Sequence, residues 1–360
     1  MHNFIIEKIS QKTNQFISYA EFMELALYHP TMGYYMRDQE KIGKSGDFIT
    51  TSNISDIFGS IFSKWFIKQV EKNGIMPAVC EIGAGNGRFA KAFVDTWKTI
   101  TDIPLTYYIV ETSPYHRSLQ RNLLPIGQSV FQLENLSELQ PFNGLIFSNE
   151  LFDALPVHVI EMHNRNLYEV MIGRDGEQLI EKLIPLSNPD ILSFLEEHDL
   201  SLKEMQRIEI PVQMERVLKE ISNTMEKGLV VTIDYGYTKD EWEEPARQKG
   251  SLRGYYKHQM ITDVLKHPGE MDITSHIHFD CLIEKGEELE LHFLLKQRQD
   301  EFLVAAGILK ELEEHYDPNP FSEKSKRNRA IRSLIMEGMS SFFHVIFQEK
   351  GINILKEDLF

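Results

Sequence analysis

The alternation of apolar and polar positions predicts a helical N-terminal part of the chain. In SYAEFMELAL, Ser18 stands three residues before Glu21 and ahead of an apolar periodic run, an arrangement typical of a reciprocally capped helix start. The segment ISDIFGSIFSKWFIKQVEKNG returns to helical spacing and ends at Gly74. The polar segment KIGKSGDFITTSN lies between them and predicts a loop. We therefore expect residues 1–75 to form an N-terminal helical segment.

From residue 76 onward, short apolar runs alternate with amphipathic stretches. The strand candidates are PAVCEI, LTYYIV, QSVFQL and GLIFSN, with RFAKAFVDTWKTI and SPYHRSLQRNLL as helices between the first three. Strands separated by helices predict right-handed βαβ units and a parallel sheet. The run GLVVTIDYG at 228–236 is apolar enough for a further buried parallel strand. The predicted fold class is α/β, with a doubly wound, mostly parallel sheet.

Residues 157–226 are too many for a simple connection between two strands. They begin with VHVIEMHNRNLYEVMIG, whose alternation predicts antiparallel β structure, and continue with mixed helix. After residue 281 the spacing is mainly helical, with one strand expected. The predicted organisation is therefore 1–75 as N-terminal segment, 76–156 as core, 157–226 as an inserted α+β subdomain and 227–360 as the rest of the core with C-terminal helices.

Composition restricts the classes of function. The 360-residue chain carries a net charge of −16, which argues against a nucleic-acid partner because phosphate-backbone affinity comes from clustered Lys and Arg. Only Cys80 and Cys281 occur, too few for a disulfide scaffold or a cysteine-based zinc cluster. No run of about 18 apolar residues is present, so no membrane partner is expected. We expect a soluble, cytoplasmic protein; its oligomeric state is left open.

A glycine-rich turn, EIGAGNGRF, follows the first strand candidate. Gly83, Gly85 and Gly87 would let the backbone approach a ligand closely. The dinucleotide fingerprint requires its third glycine at position 88, where this chain has Arg88. The GxGxG spacing after Glu81 favours S-adenosylmethionine over a dinucleotide, although the turn alone leaves both open.

Glu111 ends the second strand candidate, LTYYIV. A carboxylate at this place can accept hydrogen bonds from both ribose hydroxyls of an adenosine. The alternative is a helix-capping acid in ETSPYHR. Together with the upstream turn, we interpret Glu111 as a ribose ligand.

The stretch SNELFDALP ends the fourth strand candidate and carries Asn149, Glu150 and Asp153. Ligands of doubly wound sheets bind beyond the carboxyl ends of the strands, so these side chains are the candidate catalytic residues on the acceptor side. If the acceptor is a guanidinium, Glu150 and Asp153 can hold it by charge-assisted hydrogen bonds. The alternative is an acidic first turn of a helix.

Four histidines, His258, His267, His276 and His278, suggest a metal site at first sight. No cysteine pair or HExxH spacing supports one, so we expect histidines satisfied by hydrogen bonds and no metal. Arg253 and Asp272 are candidates for substrate contact in the same region.

Several separated motifs together resemble one family. FMELALYHPTMGYY, GDFITTSNIS, EIGAGNG, VETSPYHRSLQ, SNELFDALPVHV, VTIDYG, GSLRGYYKH and PGEMDITSHIHF run from residue 22 to about 279. They are similar to the MidA-like S-adenosylmethionine-dependent methyltransferases, whose mitochondrial members are protein arginine methyltransferases that assist assembly of respiratory complex I. The chain departs from the family pattern at Ala84 and Asn86 in the turn and at Thr51, Ser52 and Asn53 after GDFIT.

The resemblance implies a Rossmann-like methyltransferase core with a smaller added subdomain and S-adenosyl-L-methionine as cofactor. It implies that the glycines approach the methionine part, that Glu111 binds the ribose and that Asp47, Phe48 and Thr50 close the cofactor pocket. The expected reaction is N-methylation of arginine side chains of a protein substrate. A cofactor-binding assembly factor without turnover is the alternative, and a dehydrogenase is a third hypothesis that Arg88 disfavours.

Overall fold

The computed structural model describes residues 1–38, 56–312, 319, 322–336 and 342–360. The helices, in chain order, are α1 His2–Gln11, α2 Tyr19–Tyr28, α3 Asp56–Asn73, α4 Arg88–Ile100, α5 Pro114–Leu123, α6 Pro189–Glu197, α7 Val212–Thr224, α8 Lys239–Trp242, α9 Phe279–Glu288, α10 Gln299–Ala305 and α11 Glu323–Met336. Short 3-10 turns occupy Leu136–Leu139, Pro245–Arg247, Ile308–Glu311 and Lys356–Leu359.

The strands among these described residues fall into three sheets. In chain order they are β1 Ile17–Ser18, β2 Ala78–Ile82, β3 Thr106–Val110, β4 Val130–Leu133, β5 Phe142–Asn149, β6 His158–His163, β7 Asn166–Asp175, β8 Gln178–Pro185, β9 Arg207–Ile210, β10 Met225–Tyr237, β11 Arg253–Tyr256, β12 Gln259–Ile261, β13 Asp272–Thr274, β14 Ile277–His278, β15 His292–Arg298 and β16 Phe343–Lys350.

The described chain divides into two compact units. One unit takes Met1–Phe48, Phe152–Leu218 and Gly236–Lys285, and the other takes Ile49–Leu151, Lys219–Tyr235 and Gly286–Phe360. We call the first the antiparallel unit and the second the parallel unit, after their sheets. The four-part division predicted from the sequence stays a prediction.

The sheet of the parallel unit runs in the order β15-β16-β10-β5-β2-β3-β4. Strands β4, β3, β2, β5 and β10 pair in parallel, and β16 enters antiparallel between β10 and β15. The chain leaves β2 toward β3 and β4 on one side, and β5 and β10 lie on the other. The carboxyl edge between β2 and β5 is therefore the topological switch point, where ligands of such sheets bind.

Aromatic side chains fill the core of the parallel unit. Phe62 of α3 and Phe89 of α4 both pack on Phe147 of β5, and the rings of Phe89 and Phe147 stack at a centroid separation of 4.4 Å. All three side chains are at most 4% exposed. Such an aromatic pair stabilises the fold by about 0.5–1.5 kcal/mol beyond the contribution of the area that it buries. This packing holds α4, and with it the preceding glycine turn, against the sheet.

The antiparallel unit is built around a sheet in the order β1-β7-β6-β9, with β8 paired to β7. Helix α2 begins as the sequence predicted, because Ser18 Oγ accepts from the backbone N–H of Glu21 and the Glu21 carboxylate accepts from the N–H of Ser18. Apolar side chains of α1 and α2, including Ile5 and Phe22, join Val170 and Ile172 of β7 in one core. A three-stranded sheet, β12-β11-β13, completes the unit.

The sequence predicted most strands of the parallel unit's sheet and missed one, β16. The strands expected at 77–82, 105–110, 128–133, 144–149 and 228–236 are confirmed. The antiparallel pairing of β6 with β7 is confirmed as well. The helices expected after residue 281 are confirmed, but the expectation of one strand there was wrong, since Phe343–Lys350 forms a second strand besides His292–Arg298. This strand lies between β10 and β15, and five consecutive residues of it are buried. A short continuous buried run has neither helical nor strand periodicity, so the sequence does not show which of the two it forms.

Candidate functional site

The glycine turn connects β2 to α4. Gly83, Gly85 and Gly87 have φ values of +74°, +53° and +79°, a region that side chains other than glycine enter at a cost. A Cβ on Gly87 would come within 2.9 Å of Gln120 Cγ. The dihedral angles at all three positions, and the packing at position 87, therefore favour glycine. Since glycine has no side chain, a ligand can approach the backbone of the turn closely.

Glu111, which follows β3, is joined to the glycine turn. Its Oε2 accepts from the N–H of Gly85 at 2.9 Å, and its Oε1 accepts from the N–H of Ser113 at 2.8 Å. Gln120 of α5 donates to the carbonyl oxygen of Gly85 at 2.7 Å. The turn is thus fixed by side chains of the neighbouring βα unit, and Glu111 lies beside it; its role as a ribose ligand stays a prediction.

Glu81 lies inside β2, just before the turn, and its carboxyl group is buried. Burial raises the pKa of Glu81 to about 8, the hydrogen bond from Tyr107 opposes this shift and the negative charge of Glu111 adds to it. Tyr107 Oη donates to Glu81 Oε2 at 2.8 Å. An acidic residue inside an apolar strand is the sequence feature from which a buried carboxyl at position 81 could have been predicted.

Asn149 and Glu150 lie at the carboxyl end of β5, on the same sheet edge as the glycine turn. The pairing of Ile82 with Ser148 sets this alignment. The Asn149 amide donates to Glu150 Oε1 at 3.1 Å, and Glu150 has a φ of +51°. In the part of the chain that the structure describes, the buried Oδ1 of Asn149 accepts no hydrogen bond. An acceptor of this kind suits an N–H donor of a bound molecule.

Asp153 belongs to the antiparallel unit, where it is 2% exposed. Its carbonyl oxygen accepts from the N–H of Ser275 at 2.9 Å. Asp272, a sequence candidate for substrate contact, accepts from Tyr35 Oη at 2.6 Å. Burial first, and then the charges of Asp272 and Asp153, hold the pKa of Tyr35 well above its ordinary value. Both carboxylates are therefore close to one tyrosine hydroxyl.

Other predicted residues are dispersed or fall outside the described residues. Arg253 donates to the carbonyl of Leu252 at 2.6 Å. Asp47, Phe48 and Thr50 lie outside the described residues, as does the rest of the GDFIT segment.

The histidines His258, His276 and His278 occupy different environments. His276 stacks on Tyr237 and His278 on Trp242, with centroid separations of 4.5 and 4.7 Å. His278 Nε2 is 2.8 Å from the carbonyl oxygen of Glu209, whereas His258 lies in the β11–β12 turn with a φ of +63°. Burial lowers the pKa values of His276 and His278 to about 4. Both rings are therefore neutral at physiological pH.

The sequence of residues 61–296 matches the family described as "Putative S-adenosyl-L-methionine-dependent methyltransferase". This range is more than half of the chain. The chain belongs to this family of S-adenosyl-L-methionine-dependent methyltransferases. Its parallel sheet, switch point and glycine turn are the features on which such enzymes bind their cofactor.

Curated relatives and solved structures are similar to this methyltransferase over most of its length. The mouse mitochondrial protein arginine methyltransferase NDUFAF7 is 26% identical over 74% of this chain, and the human protein is 25% identical over 81%. The chain spans 65% of the length of the mouse relative and 70% of the human one.

A crystal structure of a COG1565 superfamily member from Burkholderia thailandensis, bound to S-adenosyl-homocysteine, superposes with a TM-score of 0.89. It is 26% identical, and the superposition covers 99% of this chain and 93% of that one. A second, native structure from the same superfamily and organism has a TM-score of 0.86. The α/β methyltransferase fold and the MidA-like resemblance are therefore confirmed.

S-adenosyl-L-methionine is accordingly the cofactor of this methyltransferase. The residues present fit it, because three glycines of the turn lack side chains that would hinder a ligand and Glu111 lies beside the turn at the switch point. Among the described helices, none is both long enough and apolar enough to cross a membrane.

Proposed function

We propose that this methyltransferase methylates the guanidinium nitrogen of arginine side chains in a protein substrate. The observation that carries the proposal is the pair Asn149 and Glu150 at the carboxyl edge of β5. The pair offers an amide oxygen that is buried and accepts no hydrogen bond from the described residues, and a carboxylate beside it. A guanidinium supplies planar N–H donors and a positive charge that match this pair. Relatives that are named protein arginine methyltransferases support the same acceptor.

In this proposal each group of residues has a role that follows from its position. Gly83, Gly85 and Gly87 approach the methionine part of the cofactor, and Glu111 binds the ribose through lone pairs left beside its two backbone hydrogen bonds. Asn149 and Glu150 line the acceptor side, and a catalytic role of Asp153 stays a prediction from the resemblance. Asp47, Phe48 and Thr50, outside the described residues, are proposed from the resemblance to close over the cofactor.

The chemistry needs alignment and charge stabilisation. The guanidinium nitrogen attacks the methyl carbon in line, a nitrogen–carbon bond forms and the carbon–sulfur bond breaks, with the electron pair going to sulfur. The attacking nitrogen gains positive charge, which the carboxylate of Glu150 stabilises before it takes up the surplus proton from that nitrogen. The cofactor supplies the activated methyl group.

Methyl transfer to extracts of a strain that lacks the gene tests the proposal. Purified protein is incubated with methyl-labelled cofactor and the extract, and labelled protein is hydrolysed to detect methylarginine. Glu150→Gln keeps the side-chain size and removes the charge, so we expect kcat/KM to fall about 100-fold while adenosylhomocysteine binding is retained.

Glu226→Gln is the matched control. Glu226 also accepts from an asparagine, Asn143 Nδ2 at 2.9 Å, but at the opposite end of β5. This variant should keep full activity. Label in an amino acid other than arginine would refute the acceptor, whereas adenosylhomocysteine binding with no labelled product would favour the assembly factor without turnover.

A further inference from the structure

His198, Cys281 and Glu284 form a compact group in the antiparallel unit. His198 ends helix α6, and Cys281 and Glu284 lie three residues apart on α9. One ligand atom from each residue lies within 4.8 Å of the other two. Cys281 is fully buried and His198 is 1% exposed. The set offers a thiol sulfur, an imidazole nitrogen and a carboxylate oxygen.

The two ring nitrogens of His198 face different carboxylates. Nδ1 is 2.9 Å from Glu284 Oε2, and Nε2 is 2.9 Å from Glu215 Oε1. Metal-binding histidines commonly use one nitrogen for the metal and donate the other N–H to a carboxylate, which fixes the ring. Glu215 is placed to orient His198 in this way, and it leaves Nδ1 for the metal.

Nearby lysines leave the facing oxygen of Glu284 accessible. Lys239 Nζ donates to the other oxygen, Oε1, at 2.6 Å. Lys285 donates to Glu197 at 2.8 Å and lies 4.0 Å from Glu215. Both lysines therefore orient carboxylates without occupying the space between His198 Nδ1 and Glu284 Oε2.

We propose that His198 Nδ1, Cys281 Sγ and Glu284 Oε2 bind a Zn²⁺ ion, with Glu215 as the carboxylate that orients His198. Thiolate, imidazole and carboxylate are the zinc ligands of proteins, and metal–ligand bonds of about 2.0–2.3 Å place tetrahedral ligands about 3–4 Å apart. The Nδ1–Oε2 separation of 2.9 Å would lengthen slightly on binding, and the longer separations, which are at most 4.8 Å, would shorten. Binding releases the thiol proton and the proton shared between Nδ1 and Glu284.

The proposed site has three protein ligands and an open fourth position. The Glu284 side chain is 44% exposed, so water can complete the tetrahedron from that side. The ion would link the end of α6 to α9, two segments far apart in sequence. This proposal departs from the expectation of no metal, which rested on the histidines of 258–278 and on the lack of a cysteine pair.

Metal analysis of the full chain tests the site. After chelator treatment and dialysis against ZnSO4, we expect one Zn²⁺ per chain by mass spectrometry of the metal. Co²⁺ in place of Zn²⁺ should give a thiolate-to-metal charge-transfer absorption. His198→Asn should abolish stoichiometric binding, Cys281→Ser should remove the charge-transfer band, and Glu215→Gln should weaken Zn²⁺ affinity about 10–100-fold without changing the stoichiometry.

Cys80→Ser is the control, because Cys80 is the other buried thiol and lies in β2 of the parallel unit. It should leave the band and the stoichiometry unchanged. Wild-type protein that binds less than one ion per chain overturns the proposal, and this result does not depend on whether any variant folds. A band that disappears with Cys80→Ser and persists with Cys281→Ser overturns it as well.

Discussion

The N–H of Gly85 donates to Glu111 Oε2 at 2.9 Å across 26 residues of sequence. The same carboxylate accepts from Ser113 at 2.8 Å, so one side chain connects the glycine turn after β2 to the segment after β3. The proposed ribose ligand is therefore also a structural part of the turn. Its substitution should affect both stability and cofactor binding.

Glu111→Gln should lower the free energy of unfolding and weaken adenosylhomocysteine binding. An amide has one acceptor oxygen, so either Gly85 or Ser113 faces an NH2 group and loses its acceptor, at a cost of about 1–3 kcal/mol. Urea unfolding and the rise in Tm on adding adenosylhomocysteine measure the two effects. Glu134→Gln is the control, since Glu134 follows the next strand but is exposed and paired with Arg117, an interaction of about 0–1 kcal/mol. Equal losses in the two variants would contradict this role of Glu111.

Gly87→Ala should destabilise the protein more than Gly176→Ala. Both glycines have positive φ, +79° and +59°, so each alanine carries a conformational cost of about 1–2 kcal/mol. At Gly176 a Cβ meets nothing within 4 Å, whereas at Gly87 it meets Gln120 Cγ at 2.9 Å. Denaturant unfolding of both variants isolates the steric contribution. In a Gln120→Ala background the additional cost at position 87 should shrink to what the remaining contact with Leu124 Cδ1 at 3.3 Å causes; if it is unchanged, the contact with Gln120 is not its cause.

Glu81 should make stability fall as the pH rises from about 4.5 to about 8. The folded state keeps the Glu81 proton up to a pKa of about 8, whereas the unfolded chain releases it near the ordinary value of 4.5. The folded state binds more protons in this window, so its stability relative to Glu81→Gln falls by up to about 1.4 kcal/mol per pH unit and levels off above pH 8. Urea unfolding of both proteins across this range measures the difference.

Tyr107→Phe extends the same experiment. The hydrogen bond from Tyr107 lowers the pKa of Glu81, so its removal should move the upper limit of the window to higher pH. A difference between wild type and Glu81→Gln that does not change with pH would show that Glu81 is ionised in the folded protein.

Tyr35→Phe should cost more stability than Tyr28→Phe. Tyr35 donates to the carboxylate of Asp272 at 2.6 Å, and Tyr28 donates to the neutral carbonyl of Ala154 at 3.0 Å. A hydrogen bond to a charged group contributes about 1.5–3 kcal/mol, against about 0.5–1.5 kcal/mol for a neutral pair. Chemical denaturation near pH 7 provides the comparison. The reverse order would mean that Asp272 is protonated in the folded state.

The sequence by itself determined the local features of this methyltransferase. Residue types at fixed short spacings predicted the Ser18–Glu21 capping box, the glycine turn and the strands of the parallel sheet, because these depend on neighbours along the chain. The placement of Glu111 beside the turn was also predictable. Consecutive parallel strands end at the same edge of a sheet, and this rule fixes which strand ends meet.

The tertiary structure alone decided the features that depend on distant segments. Phe343–Lys350 forms a strand because β10 and β15 pair with it on both sides, which its apolar pattern did not reveal. The raised pKa of Glu81 follows from its burial and from the charge of Glu111, which together exceed the opposing effect of the hydrogen bond from Tyr107. His198, Cys281 and Glu284 come together only when α6 and α9 pack, since no sequence spacing records a contact between segments so far apart.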